Sequence, residues 1–248
     1  MTLLLDCGNT RCKITRQLPD GGLAPVNAIA LDAADFISRL EAQLDGSPEK
    51  RQAYFASVAG AEINSAIEAS LMSAGYSITR VRTEAEALGV RIAYPLPHQL
   101  GVDRFLALLA AHQKRQSTLI VSVGSALTVD VLDADGQHHG GMITATETII
   151  KAAMENRFAN FRGLSGNAHG FSDNTADALA SGARYMVLGI IEKAWRDASR
   201  LLNEPNLPLL MTGGDAEALL PHLPDNVACQ PALVLEGLAL WARHLESA

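Results

Sequence analysis

Positive charge, cysteine and long apolar runs are all scarce in this sequence, and each shortage excludes a class of protein. The formal net charge of −7 over 248 residues leaves no general cationic field for nucleic acid or anionic lipid, so we expect no nucleic-acid partner. No uninterrupted apolar run approaches the roughly 20 residues of a membrane span. The strand-like residues 2–5 follow no basic leader segment. We therefore expect a cytoplasmic protein with no membrane partner.

The three cysteines, Cys7, Cys12 and Cys229, are an odd number. The first two fall within an apparent hairpin and have no second pair of ligands at metal-site spacing. This pattern predicts reduced structural thiols and argues against a zinc site. His138 and His139 also lack spaced ligand partners, so we expect both to be exposed turn residues with no functional role.

Apolar residues, by contrast, are present in the quantity that a folded protein needs. They make up 48% of the sequence and charged residues make up 19%, which is ordinary for a globular protein and too apolar for a disordered one. With 248 residues, the chain can form two modest domains or one large one without support from disulfides or metals.

Strand-like and helix-like segments alternate along the chain, which predicts an α/β fold. Residues 3–7 and 11–16 flank a glycine turn and predict an antiparallel meander. The same order of strand, glycine turn and strand returns about 115 residues later, at residues 119–123 and 127–132. An internal duplication is therefore expected. A long helix is predicted over residues 175–202, and its wide apolar stripe suits either a domain core or a subunit interface.

Three glycine turns each follow a strand and suit phosphate binding. In the first, Asp6-Cys7-Gly8-Asn9-Thr10, the glycine lets backbone amides approach phosphate oxygens, and a strand-end carboxylate can hold Mg²⁺ through water. The second is Gly124–Asp130, and the pairing of these two turns suits a single polyphosphate. The third, Met211–Asp215, is expected to lead into a helix at Ala216. Taken singly, each turn is about as typical of a structural hairpin or a helix cap.

The segment Tyr94–Arg104 combines a rigid approach with two charged side chains. Pro95 and Pro97 stiffen the chain before Gly101, and the Asp103-Arg104 pair then enters a strongly apolar helix. A carboxylate there suits the acceptance of a hydroxyl proton, with a guanidinium beside it for an anionic substrate. A surface ion pair at a helix start is the alternative interpretation.

Eight blocks of sequence, in this order, resemble the type III pantothenate kinases, a family within the superfamily of actin, sugar kinases and heat-shock chaperone ATPases. The blocks are Asp6-Cys7-Gly8-Asn9-Thr10 with Lys13, Ser57-Val58, Tyr94–Arg104, Gly124–Asp130, Gly140-Gly141, Asn174-Thr175 with Ser181-Gly182, Thr212-Gly213-Gly214 and Leu233–Leu238. The resemblance implies an α/β fold of two duplicated actin-like (ribonuclease H-like) lobes, with mixed sheets flanked by helices. We expect the N-terminal lobe at residues 1–115 and the C-terminal lobe, with a dimerisation helix, at residues 116–248.

The same resemblance implies ATP-dependent phosphorylation of the primary hydroxyl of pantothenate to 4′-phosphopantothenate, the first step of coenzyme A biosynthesis. Asp103 matches the family's general base. The expected substrate-binding residues are Tyr94, Gly101, Val102, Arg104 and Thr175. The expected ATP-binding residues are Asp6, Gly8, Asn9, Thr10, Arg11, Lys13, Gly124, Ser125, Thr128, Gly213 and Gly214. Asp6 and Asp130 are the expected neighbours of metal ions.

The family resemblance also implies cofactors and a partner. ATP and Mg²⁺ are expected together with a monovalent cation, K⁺ or NH4⁺, for which Asp130 is the candidate neighbour. A homodimer is expected, and Thr175 matches a position that reaches the substrate pocket of the partner subunit.

Three departures from the family pattern keep other functions open. The second phosphate segment usually reads Asp-x-Gly-Thr-Ala, whereas this sequence has Ser122 in place of the aspartate and Ser125 in place of the threonine. After Gly140-Gly141 the family continues to a Pro-Gly turn that residues 142–147 lack. A catalytically weak or inactive relative acting as a regulatory accessory protein is one alternative function. A kinase of another small hydroxy acid is the other.

Overall fold

A computed structural model describes residues 2–44 and 51–247, which form twelve strands and six α-helices. The strands are β1 Thr2–Cys7, β2 Arg11–Gln17, β3 Asn27–Ala30, β4 Arg51–Ser57, β5 Tyr76–Arg80, β6 Glu86–Ala87, β7 Val90–Arg91, β8 Thr118–Val123, β9 Leu127–Leu132, β10 His138–Thr144, β11 Leu209–Thr212 and β12 Ala228–Cys229. The helices are α1 Phe36–Glu41, α2 Ala61–Ser73, α3 Val102–His112, α4 Glu147–Arg157, α5 Thr175–Leu201 and α6 Leu233–Ser247. Among the described residues, no helix is both long and apolar enough to span a lipid bilayer.

Two five-stranded sheets share one topology. The first has the order β3-β2-β1-β4-β5 and the second the order β10-β9-β8-β11-β12, so each runs third, second, first, fourth, fifth in its own numbering. In both, the first two strands pair antiparallel, and the first strand pairs parallel with the fourth. The predicted duplication and the mixed sheets are confirmed. A separate two-stranded ribbon joins β6 and β7.

Contacts divide the chain into two units. Among the described residues, the first unit takes in those up to Arg115, Asp135–His138 and those from Ala232 onward, and the second takes in Gln116–Ala134 and His139–Pro231. The sequence assigned residues 232–248 to the second lobe, whereas α6 packs on α3 of the first unit. Phe105 and Trp241 meet edge to face there, with ring centroids 5.7 Å apart, a favoured geometry for buried aromatic rings.

Each unit buries its own apolar core between sheet and helices. In the first, Leu3 and Leu5 of β1 belong to the same buried apolar cluster as Ile67 of α2. In the second, Val187 and Ile191 of α5 lie beside the buried apolar side chains of β8 and β9. The four-residue step between those α5 side chains places both on one helix face, as the sequence predicted.

Two local predictions were wrong. Cys7 and Cys12 are joined by a disulfide because the β1–β2 register places them directly opposite each other, whereas the sequence predicted reduced thiols. No helix begins at Ala216; this stretch forms turns and a short 3-10 helix at Leu220–His222, where Pro221 supplies no amide donor.

Candidate functional site

The β1–β2 hairpin positions the first group of predicted site residues. Asp6 lies near the end of β1 and faces Lys13 across the strand pair. The turn between them closes through the Gly8 amide, which donates to the Arg11 carbonyl over 3.0 Å. Asn9, Thr10 and Arg11 are exposed at the tip. An exposed turn of this kind presents polar backbone and side chains to an anionic ligand.

Asp6 is a buried carboxyl group, only 9% exposed, and its electrostatic environment is unusual. Desolvation raises its pKa from 3.8 to about 7, Lys13 opposes that rise, and Asp103 adds to it through like-charge repulsion. Asp6 and Asp103 are separated by nearly a hundred residues in sequence. The fold of the first unit therefore brings together two of the carboxyl groups that the sequence singled out.

Gly101 fixes the place of the Asp103 carboxyl group. Gly101 caps the N-terminus of α3, and Asp103 lies in the first turn of that helix. A Cβ atom at position 101 would lie 2.5 Å from Asp103 Oδ1 and 3.9 Å from Val58 Cγ1. Because contacts that short do not occur, an alanine there would displace the carboxyl group.

Arg104, which follows Asp103 in the sequence, forms a polar pair with the half-buried Tyr94. Arg104 is 5% exposed, its Nη1 donates to the Tyr94 hydroxyl over 3.1 Å, and its Cζ lies 5.6 Å from the centre of the tyrosine ring. Val102, two residues before Arg104, is also buried. Burial is unusual for a guanidinium unless it is paired. The alternative interpretation of Asp103-Arg104 as a surface ion pair is therefore wrong for Arg104.

His138 is a residue of this neighbourhood that sequence reasoning missed. It was expected to be exposed, but it has 0% exposure and its ring stacks on Tyr94. Only the neighbouring His139 matches the expectation, since it is exposed at the surface, where it pairs with Asp133. No short-range pattern reveals the difference, because it depends on where residues 135–138 dock.

The second unit brings together its own glycine turns. The Gly124 amide donates to the Ala126 carbonyl over 3.1 Å in the turn between β8 and β9. Thr128 faces Ser122 across this strand pair, and Ser122 also lies beside Thr212 at the end of β11. The Gly124 turn and the Gly213-Gly214 turn therefore share one edge of the sheet, as expected for the carboxyl ends of parallel strands.

Gly213 is required by this arrangement. Its φ is +99°, and a Cβ atom there would lie 2.2 Å from the Val123 carbonyl oxygen, so only glycine fits. The Asp215 amide donates to the same oxygen over 3.1 Å. In this way, the third turn packs backbone to backbone against the strand that leads into the second turn.

The remaining predicted residues of the second unit have different surroundings. Ser125 is exposed at the tip of its turn, and Gly214 is exposed as well. Asp130 is a buried carboxyl group on β9, 3% exposed. Thr175 is exposed as the first residue of α5, whose cap is Asn174.

The two mixed sheets of identical topology define an actin-like fold, the fold that sugar kinases share. A solved structure of a protein described as a Baf family transcriptional activator from Campylobacter jejuni matches with a TM-score of 0.64 and 18% identity, covering 99% of this chain and 100% of that one. A structure described as a 2-dehydro-3-deoxygalactonokinase from Sinorhizobium meliloti matches with a TM-score of 0.57 and 15% identity, covering 99% of each chain. At these identities the likeness shows the fold alone.

Sequence comparison defines the family more narrowly. The type III pantothenate kinase family model matches residues 2–197. A type III pantothenate kinase from Stenotrophomonas maltophilia strain K279a is 43% identical over 242 residues, covering 97% of each chain. One from Xylella fastidiosa strain 9a5c is 38% identical over 241 residues, covering 96% of each chain. The chain belongs to the type III pantothenate kinase family.

Proposed function

We propose that this protein phosphorylates the primary hydroxyl of pantothenate with ATP, giving 4′-phosphopantothenate and ADP in the first step of coenzyme A biosynthesis. The observation that carries the proposal is that Asp103 comes close enough to the buried carboxyl group of Asp6 to raise its pKa, while the next residue along the chain, Arg104, pairs with Tyr94. Such a transfer needs one carboxyl group to accept the proton of the hydroxyl, a second carboxyl group to hold a cation and a buried guanidinium to bind an anion.

In the proposed reaction, Asp103 accepts a hydrogen bond from the substrate hydroxyl. The hydroxyl oxygen attacks the γ-phosphorus, the bond from that phosphorus to the β,γ-bridging oxygen breaks, and Asp103 takes the proton as ADP leaves. Phosphoryl transfer depends mainly on positioning and charge stabilisation, so orienting the hydroxyl is as important as removing its proton. Arg104 and Tyr94 suit the carboxylate end of pantothenate, with Gly101 and Val102 lining the substrate.

Asp6 is the proposed protein contact of Mg²⁺. Burial raises its pKa to about 7, and a cation beside it would offset that cost and hold it ionised. Magnesium keeps several waters and takes only one or two carboxylates besides phosphates, so a single buried aspartate fits. When bound, the ion would neutralise phosphate charge. The proposed ATP contacts are Gly8, Asn9, Thr10, Arg11, Lys13, Gly124, Ser125, Thr128, Gly213 and Gly214.

Asp130 is the proposed neighbour of a monovalent cation, K⁺ or NH4⁺, because it is a buried carboxyl group close in sequence to the second phosphate turn. We further propose a cytoplasmic homodimer of two-lobed subunits, in which Thr175 contacts the partner's substrate. Exposed large apolar side chains of the second unit support a dimer. They are Met142, Ile143, Ile149, Phe158, Phe171, Tyr185, Met186 and Leu201.

A coupled assay of ADP release from MgATP in potassium buffer tests the proposal, using pantothenate and a panel of other small hydroxy acids. Turnover that depends on pantothenate supports it. Turnover with another hydroxy acid alone selects the alternative kinase, and ATP binding without turnover of any substrate selects the regulatory accessory protein.

Ser122 is the observation that favours the accessory role, because the family's usual carboxylate is absent beside the second turn. The variant Ser122→Asp separates a weak enzyme from an inactive one. Turnover that rises in this variant assigns the weakness to the lost carboxylate. A wild-type protein that already turns over pantothenate fully shows that Ser122 is tolerated.

A further inference from the structure

A histidine from the second half of the sequence is built into the first unit. The turn before β10 brings residues 135–138 alongside β7, where the Arg91 amide donates to the Gly136 carbonyl over 2.9 Å. The side chains repeat this link, since Arg91 Nε donates to Gln137 Oε1 over 2.7 Å and Gln137 Nε2 donates to the Arg91 carbonyl over 3.3 Å. His138 follows directly and is fully buried.

Contacts with Tyr94 and Ala93 orient the His138 ring. Its plane lies within 6° of the Tyr94 ring plane, with the ring centroids 6.1 Å apart, which is an offset stack within the favoured range. The Ala93 amide donates to His138 Nδ1 over 3.4 Å. Because Nδ1 must accept this hydrogen bond, it carries no proton. The bond with the Ala93 amide therefore helps to orient the ring and also selects its tautomer.

Tyr94 joins this histidine to the substrate-facing arginine. The Tyr94 hydroxyl accepts from Arg104 Nη1, and the guanidinium lies over the tyrosine ring. Tyr94 is only half-buried and lies in an irregular segment between β7 and α3, so regular backbone hydrogen bonding does not set its ring position. The stack on the fully buried His138 ring holds it from one side, and the contacts with Arg104 hold it from the other end.

We infer that His138 is a positioning residue of the kinase site, which holds the Tyr94 ring where Tyr94 and Arg104 meet the anionic end of the substrate. The inference rests on the proposed function for the identity of that substrate. His138 acts through Tyr94 and takes no proton in the reaction.

Steady-state kinetics of four variants test this role. His138→Ala removes the stack, His138→Phe keeps a planar ring, His138→Asn keeps only an acceptor near the Nδ1 position, and His139→Asn is the matched control on the exposed neighbour. We expect His138→Ala and His138→Asn to raise the KM for pantothenate about five- to tenfold, with the KM for ATP within about twofold of wild type. His138→Phe should recover most of the loss, and His139→Asn should match wild type.

A double-mutant cycle with Tyr94→Leu separates positioning from general packing. If His138 acts through Tyr94, His138→Ala adds little to the defect of Tyr94→Leu, because the ring that it positions is already gone. Fully additive effects, an unchanged pantothenate KM in His138→Ala, or an equal rise in both KM values would overturn the inference.

A crystal structure of His138→Ala gives an answer that needs no turnover. We expect the Tyr94 hydroxyl to leave Arg104; a ring that stays in place overturns the inference even if the protein proves to act on another substrate. Wild-type protein without pantothenate turnover would count against the proposed function, whereas active wild type with a normal His138→Ala would count against the inference alone.

Discussion

One missing methyl group decides where the Asp103 carboxyl group lies. Gly101 leaves the space at the start of α3 into which Asp103 Oδ1 folds back, and the carboxyl group comes close enough to Asp6 to affect its pKa. The chemistry of this site therefore depends on a residue with no side chain. Two predictions follow at the scale of single residues, one for Gly101 and one for Asp6.

Gly101→Ala should lower kcat for pantothenate by roughly 10- to 100-fold, the usual cost of a misplaced catalytic group. The melting temperature should change little, because the group that moves is the end of a flexible side chain. Steady-state kinetics and a thermal melt check both results. Gly60→Ala is the matched control, since Gly60 also precedes a helix and a Cβ atom there meets nothing within 4 Å. A kcat equal to wild type in Gly101→Ala would contradict the account of Asp103.

Asp6 should make the metal-free protein less stable as pH rises. Its folded pKa is raised from 3.8 to about 7, so between these values the folded state holds a proton that the unfolded state has released. Across that window the free energy of unfolding falls with pH, by about 3 kcal/mol between pH 5 and pH 8.

Urea unfolding in EDTA of wild type and Asp6→Asn measures this contribution. The asparagine cannot ionise, so the free energy of unfolding of Asp6→Asn should exceed that of wild type by an amount that grows with pH. Adding MgATP should remove the pH-dependent loss of stability in wild type. Parallel pH profiles for the two proteins would show that Asp6 is not desolvated.

At the scale of elements, the start of α5 is tied to the loop before it by one carboxylate. Asp177 accepts hydrogen bonds from the Asn174 side chain over 2.8 Å, from the Asn167 amide over 2.7 Å and from the His169 ring over 3.1 Å. These bonds lower its pKa to about 2. The stability they contribute is present above pH 4 and is lost as pH falls towards 2.

Asp177→Ala should release this loop and leave α5 folded. Hydrogen exchange should become faster at Asn167, whose amide loses its acceptor, while amides in the middle of α5 stay protected. Asp197→Ala is the control, because Asp197 lies on the same helix and forms its ion pairs with Lys193 and Arg200. Unchanged exchange at Asn167 would show that the three hydrogen bonds do not order the loop.

Most elements were predictable because their signals are local. The β1–β2 hairpin follows from a glycine turn between two apolar strands, and α5 follows from apolar residues three and four positions apart. The failures are non-local. His138 is buried because Gln137 docks on Arg91, and α6 joins the first unit because Trp241 packs on Phe105; neither pairing leaves a periodic trace in the sequence.

At the scale of the whole molecule, the repeated sheet order shows how two distant glycine turns come to occupy equivalent places. Each turn links the first and second strand of its own sheet, so the repeated order of strand, glycine turn and strand at residues 3–16 and 119–132 predicts equivalent structural roles. The site could be predicted to this level from sequence. The neighbours of each carboxyl group could not, because burial and the approach of Asp103 to Asp6 arise only in the folded unit.

The proposed homodimer predicts different effects for two equally exposed methionines. Met186 on α5 is 62% exposed and Met72 on α2 is 63% exposed. Met186→Glu should convert a dimer to monomers because it places a charge in a buried apolar interface, while Met72→Glu should not. Light scattering coupled to size-exclusion chromatography measures both masses. A monomeric wild type, or a dimer that persists in Met186→Glu, would contradict an interface on this face.

The most direct test of the central claim is ADP release from MgATP, with and without pantothenate, by wild type and Asp103→Asn, with the exposed Asp35→Asn as control. We expect pantothenate-dependent turnover in wild type and in Asp35→Asn, and a loss of at least roughly 100-fold in Asp103→Asn, as is typical when a general base is removed. Full activity in a folded Asp103→Asn, or wild type that releases ADP equally without pantothenate, would contradict it.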